Sequence, residues 1–197
     1  MGYDSIVLAS ASERRSQLLG QIGVRHRSLA ADLDEQLRPD EEPDDYVRRL
    51  ARSKAEAVAN ALGGRPDRPV LAADTTVVLD GRIYGKPADE QDCLNILTAL
   101  SGRCHEVLTA IALRDSGTMR MAMNTSRVTF RALASEECRR YWASGEPAGK
   151  AGAYAIQGLG AVFIAKLEGS FSGVMGLPLF ETAALLDAAG VRRWQSP

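Results

Sequence analysis

An acid stands in the middle of a run that otherwise reads as a buried strand: Asp74 within Val70-Leu-Ala-Ala-Asp-Thr-Thr-Val-Val-Leu79. An ionised carboxylate buried without partners is costly, so such a strand needs cations, a metal or hydrogen-bond donors beside it. Asp80-Gly81 is the turn of a tight hairpin, and Gly85-Lys86-Pro87 follows on the return. One hairpin therefore presents an acid and a lysine. A structural ion pair between Asp74 and Lys86 is the plain alternative to a reactive acid.

Three further constellations share this theme. Leu8-Ala-Ser-Ala-Ser-Glu-Arg-Arg15 runs from a strand into the first turn of a helix that Ser12 can cap. The helix dipole is already positive there, so two arginines are unfavourable unless an anion sits between them. Backbone N–H groups, the hydroxyls of Ser10 and Ser12, and the forks of Arg14 and Arg15 form a candidate phosphate site. Solvated arginines on a capped surface helix are the alternative. Lys54 falls on the apolar stripe Val47, Leu50, Val58, Leu62 of a helix expected over residues 43–62. It either snorkels to water or faces a buried charge. In Gly149-Lys-Ala-Gly-Ala-Tyr-Ala-Ile-Gln-Gly158 small residues permit close backbone approach to a ligand, and Gln157 offers a donor and an acceptor. A flexible loop is the alternative there.

Cations around one or more acids are the inventory for holding a polyphosphate through a divalent metal. The usual phosphate loops are absent. Gly81-Arg-Ile-Tyr-Gly-Lys86 and Gly145-Glu-Pro-Ala-Gly-Lys150 lack a spacer residue and the following Ser/Thr of a Walker loop, and no G-x-G-x-x-G opens a helix. No nucleophile triad is legible. With only His26 and His105, a multi-histidine metal site is excluded.

The composition frames these residues. In 197 residues, 45% hydrophobic and 25% charged, the chain has the makeup of one globular domain, 1–197, with room for two lobes. A formal charge of -1 gives no global field for nucleic acid or an anionic membrane. No apolar run approaches a membrane span, and the first residues carry no secretory signal, so a cytoplasmic protein is expected. Cys93, Cys104 and Cys138 are odd in number and widely spaced, as reduced thiols would be.

The elements expected to position the site are strands at 5–8, 25–30, 70–79, 105–113, 121–130 and 161–167. Helices are expected at 13–20, 43–62 and 89–100, from a Ser135 cap, and from Leu177-Pro178 to near Gly190. Helices alternate with hairpins, which predicts α/β architecture with a mixed twisted sheet flanked by helices.

On these motifs the chain resembles the Maf family of nucleoside triphosphate pyrophosphatases, once described as septum-formation inhibitors. The resemblance rests on residues 8–15, Lys54 within Arg-Leu-Ala-Arg-Ser-Lys-Ala, Ala73-Asp-Thr75, Gly85-Lys-Pro87, Ser101-Gly102, residues 151–158 and Gly176-Leu-Pro178. It implies a deep cleft between two lobes, related to the inosine triphosphate pyrophosphatase architecture, commonly in a homodimer. The implied reaction cleaves a nucleoside triphosphate to monophosphate and pyrophosphate, with Mg2+ or Mn2+ as cofactor. Carried over by position, Asp74 is general base or metal ligand and Glu35 its metal partner. Arg15, Lys54 and Lys86 bind phosphates. Arg14, Thr75 and Gln157 mark the subgroup that selects dTTP and UTP. Glu13, where proline is common, and the looser segment Ser172-Gly-Val-Met175 depart from the pattern. A nucleotide-binding regulator of division that hydrolyses little, or an enzyme clearing damaged purine triphosphates, are the rival expectations.

Overall fold

The computed structural model describes residues 2–64 and 67–195. In chain order they form β1 (Ile6–Leu8), α1 (Glu13–Gln21), β2 (His26–Ser28), α2 (Pro43–Ala61), β3 (Val70–Leu79) and β4 (Arg82–Tyr84). Then follow α3 (Glu90–Leu100), β5 (Cys104–Asp115), β6 (Thr118–Phe130), α4 (Ser135–Ala143), β7 (Ile164–Glu168), α5 (Phe171–Met175) and α6 (Leu179–Ala188). One mixed sheet runs β2-β1-β3-β5-β6-β7, with β4 against β3; β1 is parallel to both β2 and β3, and the remaining pairs are antiparallel. The mixed α/β architecture expected from the sequence is present.

Local chemistry explains the elements. Pro43 opens α2 with Asp44 and Asp45 in its first turn, where the dipole favours acids. Asp89 caps α3 by accepting from the Asp92 N–H at 2.9 Å. Asp80 and Gly81 both take positive φ, 52° and 75°, as the tight β3–β4 turn requires. β3 is buried on both faces, so its apolar run is nearly continuous. Val70, Ala72 and Val78 pack on Val47, Ala51, Ala55 and Val58 of α2. Leu71 and Ala73 face Leu18 and Leu19 of α1 instead.

Two local expectations are corrected. Ser135 does not cap α4; Ala134 occupies the cap position and Ser135 is already helical. That helix start is tied down by the Arg131 guanidinium on the Glu137 carboxylate. The strand expected at 161–167 begins only at Ile164, after a 3-10 segment, Leu159–Phe163. The Glu146 carboxylate explains the shift, because it accepts from the N–H groups of Leu159 and Gly160, both at 2.9 Å. All three cysteines are free, with Cys93 and Cys138 buried.

His105 lies in the far core, edge-on to Phe130 and Tyr154, with Nε2 2.9 Å from the Tyr154 hydroxyl. Burial pulls its pKa down from the ordinary 6.5 to about 4. The folded chain thus keeps the ring neutral where the unfolded chain takes up a proton. Stability is complete above the unfolded value and falls as the pH drops from 6.5 towards 4, by at most about 3 kcal/mol for this group. The thermal midpoint of the wild type should therefore drop more steeply over that window than that of His105→Gln, whose amide can still bond Tyr154. Parallel curves would refute the assignment.

Candidate active site

The site is a gap in the sheet. β1 pairs with β3 only at Val70 and Leu71, and β4 only at Val77 to Leu79, while β5 lines the other side from Val70 to Val78. Among the described residues, positions 72–76 thus have β5 on one edge and a notch on the other. Side chains of either sheet face are reachable through such a notch, and Asp74 and Thr75 both line the cleft of about 760 Å3 that opens there. The end of β1 enters the same cleft and leads through Ser10 and Ser12 into α1, so a helix N-terminus points at it.

On the α2 face, the Lys54 ammonium lies 2.6 Å from Asp74 Oδ1 and 2.6 Å from Glu35 Oε1. Lys54 is 9% exposed and Asp74 6%, so this contact is largely shielded from water. The Tyr46 hydroxyl donates to the Glu35 backbone carbonyl at 3.0 Å and Arg49 Nη2 to that of Gln36 at 3.1 Å, so α2 also anchors the loop carrying Glu35. Lys86 is exposed and reaches Glu35 Oε2 at 3.5 Å. Burial pushes the Asp74 carboxyl above its ordinary range, and Lys54 and Arg15 pull it back only in part. Desolvation of Glu35 is outweighed by Lys54 and then Lys86, which hold it below that range. Two neighbouring carboxylates pushed in opposite directions are the pattern that separates a proton acceptor from a permanent anion.

On the opposite face, the partly buried Arg15 donates to three neutral acceptors: Gly176 O at 2.8 Å, Ser10 Oγ at 3.2 Å and Thr75 Oγ1 at 3.2 Å. Desolvation lowers its pKa, but a guanidinium keeps its proton. Among the described residues no carboxylate lies within ion-pairing distance of it. Its charge is therefore available to an incoming anion. Arg14 Nε donates more weakly to Met175 O, at 3.3 Å. Gly176 sits at φ 114°, and a Cβ there would stand 3.3 Å from Arg15 Nε, so the bare backbone permits the approach of the guanidinium.

Gln157 is exposed and lines the cleft. Its segment is held at both ends. Tyr141 donates to Glu146 Oε1 at 2.6 Å and accepts from the Ala155 N–H at 3.1 Å, while Glu146 binds Leu159 and Gly160 beyond it. A Cβ on Gly158 would fall 2.0 Å from a Glu146 oxygen, which explains the glycine.

All nine expected site residues, Ser10, Arg14, Arg15, Glu35, Lys54, Asp74, Thr75, Lys86 and Gln157, line this one cleft. Several local alternatives fail. Lys54 does not snorkel to water; it bridges two acids. The hairpin pair is corrected: Asp74 takes Lys54 as its ion-pair partner, and Lys86 takes Glu35. The 3-10 turn at Ala151–Ala153 and the following Tyr154, Ala155 and Ile156 are largely buried, so the glycine-rich segment is not a loose loop. Sequence reasoning missed Glu146 and Lys150, which also line the cleft, and the end of α5, where the carbonyls of Met175 and the capping Gly176 receive the two arginines. Lys150 was visible beside Gly149, but nothing local showed which way it turned.

The chain is 52% identical over 198 residues to a dTTP/UTP pyrophosphatase of Cupriavidus pinatubonensis, covering 96% of this chain and 99% of that one. It is 54% identical over 192 residues to a dTTP/UTP pyrophosphatase of Bordetella parapertussis, covering 94% and 93%. Among solved structures, the Staphylococcus aureus Ham1 protein gives a partial match: TM-score 0.43, 16% identity, 64% of this chain and 71% of that one. The model of the family described as Maf-like protein matches residues 5–189, and the chain belongs to that family.

Proposed function

We propose that the protein is a nucleoside triphosphate pyrophosphatase that hydrolyses dTTP and UTP to the monophosphate and pyrophosphate, with Asp74 at the reacting centre. The observation that carries this is the Lys54 ammonium held between two carboxylates, opposite an arginine that, among the described residues, has no carboxylate within ion-pairing distance. Two full-length relatives bear the name dTTP/UTP pyrophosphatase, which supports the choice of base.

The donor set fits a hard divalent cation. Arg14, Arg15, Lys54, Lys86 and Lys150 are set against Glu13, Glu35, Asp74 and Glu146 in the lining, so the cations are nearly balanced before a triphosphate arrives. The substrate's charge needs a further counter-ion. Asp74 and Glu35 already share one cationic group, and these two carboxylates would hold a Mg2+ or Mn2+ ion, a hard cation that takes oxygen ligands. Among the described residues no three His, Cys, Asp or Glu gather into a group that could hold a metal ion by themselves. Such an ion would supply Lewis-acid chemistry at the phosphates.

The chain's own residues do the rest. Asp74, with its carboxyl pushed towards the neutral form, accepts the proton of the attacking water as its oxygen bonds to the α-phosphorus. The bond from that phosphorus to the α,β-bridging oxygen breaks and pyrophosphate leaves. Lys54 then faces the charge gathering on the phosphate oxygens, and Arg15 and Lys86 bind the leaving group. Thr75, Arg14 and Gln157 meet the base. A panel of triphosphates assayed for pyrophosphate release should show dTTP and UTP favoured by about tenfold or more in kcat/KM. Preference for inosine or methylated guanine triphosphates would overturn the substrate assignment, and tight binding of dTTP without pyrophosphate release over hours, with metal present, would favour the regulator.

A further inference from the structure

Thr109 lies directly across the β3–β5 ladder from Thr75, is fully buried, and touches no part of the cleft itself. Its hydroxyl is 2.8 Å from the Gly173 carbonyl and 3.0 Å from the Thr75 hydroxyl. Each short oxygen–oxygen contact must contain one proton, and a carbonyl has none to give. The single Thr109 proton is therefore committed to Gly173 O. The proton between the two threonines then has to come from Thr75. Arg15 Nη2, which can only donate, occupies one lone pair of Thr75 Oγ1 at 3.2 Å. With its proton directed into the sheet and one lone pair taken, Thr75 has only an acceptor left to offer.

We infer that Thr109 is a specificity-determining positioning residue: it draws the Thr75 proton away from the cleft, so that Thr75 accepts from a base that donates at its ring nitrogen. Uracil and thymine carry N3–H and satisfy it. Cytosine presents a bare N3 acceptor there and meets lone pair with lone pair. A site built around a buried polar group rejects the wrong partner strongly, because the mismatch leaves that group unpaired. The inference rests on the proposed reading of Thr75 as a base contact.

The test is the ratio of kcat/KM for UTP to that for CTP. Thr109→Val removes the acceptor behind Thr75 and lets its proton turn to the cleft, so the ratio should fall about tenfold or more, through a higher KM for UTP and a lower one for CTP. Thr109→Ser keeps both the donor and the acceptor and should restore the ratio. The ratio is internal to each preparation, so a smaller folded fraction leaves it unmoved; if the valine methyl is not accommodated, Thr109→Ala makes the same test. Thr75→Val separates the two layers of the argument. If Thr75→Val collapses the ratio and Thr109→Val does not, the role of Thr109 is overturned while the base contact stands. If neither moves it, the base contact fails and the inference with it.

Discussion

Asp74→Asn is expected to fold, to bind dTTP and to release pyrophosphate about a thousandfold more slowly than the wild type. The asparagine oxygen can still accept from Lys54, and Glu35 keeps its own contact with that ammonium, so the notch retains its shape. What disappears is the proposed proton acceptor. The stability change has a definite sign. Burial raises the Asp74 pKa, so the folded chain holds that proton more tightly than the unfolded one. Its contribution to stability is present at acid pH and is lost as the pH rises through the folded value. A neutral amide escapes that loss, so the thermal midpoint of the variant at neutral pH should equal or exceed that of the wild type. Wild-type turnover in a folded Asp74→Asn protein would remove Asp74 from the reaction, and failure to bind dTTP would mean that its charge organises the substrate site instead.

The second large effect is on stability. Lys54→Met keeps an unbranched side chain of similar bulk but strips the counter-charge from two acids, one of them buried. Breaking a buried pair from one side costs about 3 to 5 kcal/mol. For a chain of 197 residues that lowers the melting temperature by about 10 °C. Without the ammonium both carboxyls move up, so the deficit should shrink as the pH is lowered and the acids take up protons. Millimolar Mn2+ should also restore part of the lost midpoint, because a divalent cation can occupy the space between the acids. Differential scanning calorimetry across pH, with and without Mn2+, reads both effects. A deficit relative to wild type that is indifferent to pH would mean that the two acids are not coupled through Lys54, and one indifferent to Mn2+ would count against the proposed metal ligands.

Much of this was legible in the linear sequence, and the limits have physical causes. Lys54 stood out because a 3.6-residue period put a charge on an apolar stripe, and Asp74 because it interrupted a strand. Both are local anomalies, and both mark the cleft. Which cation pairs with which acid was not local. Lys86 is near Asp74 through the hairpin, yet α2 crosses β3 and brings Lys54 closer. The notch depends on β1 and β4 covering different stretches of β3, a matter of register between segments far apart in the chain. Likewise the delayed start of β7 is set by Glu146, five residues from Tyr141 and well before the strand it displaces. Expectations drawn from composition and period had no access to that carboxylate.

The open edge of β3 acts as a ruler. Asp74 and Thr75 are consecutive residues, so the pleat sends them to opposite sides of one rigid ladder and, in the proposed reaction, keeps the point of bond cleavage at a set distance from the point where the base is chosen. Chemistry and selectivity are thereby separable in sequence but not in register. Substitution at Thr75 or behind it can retune which nucleotide enters and leave the acid in place. Inserting a single residue into the strand would instead turn the acid to the side of the hydroxyl and lose both functions in one step.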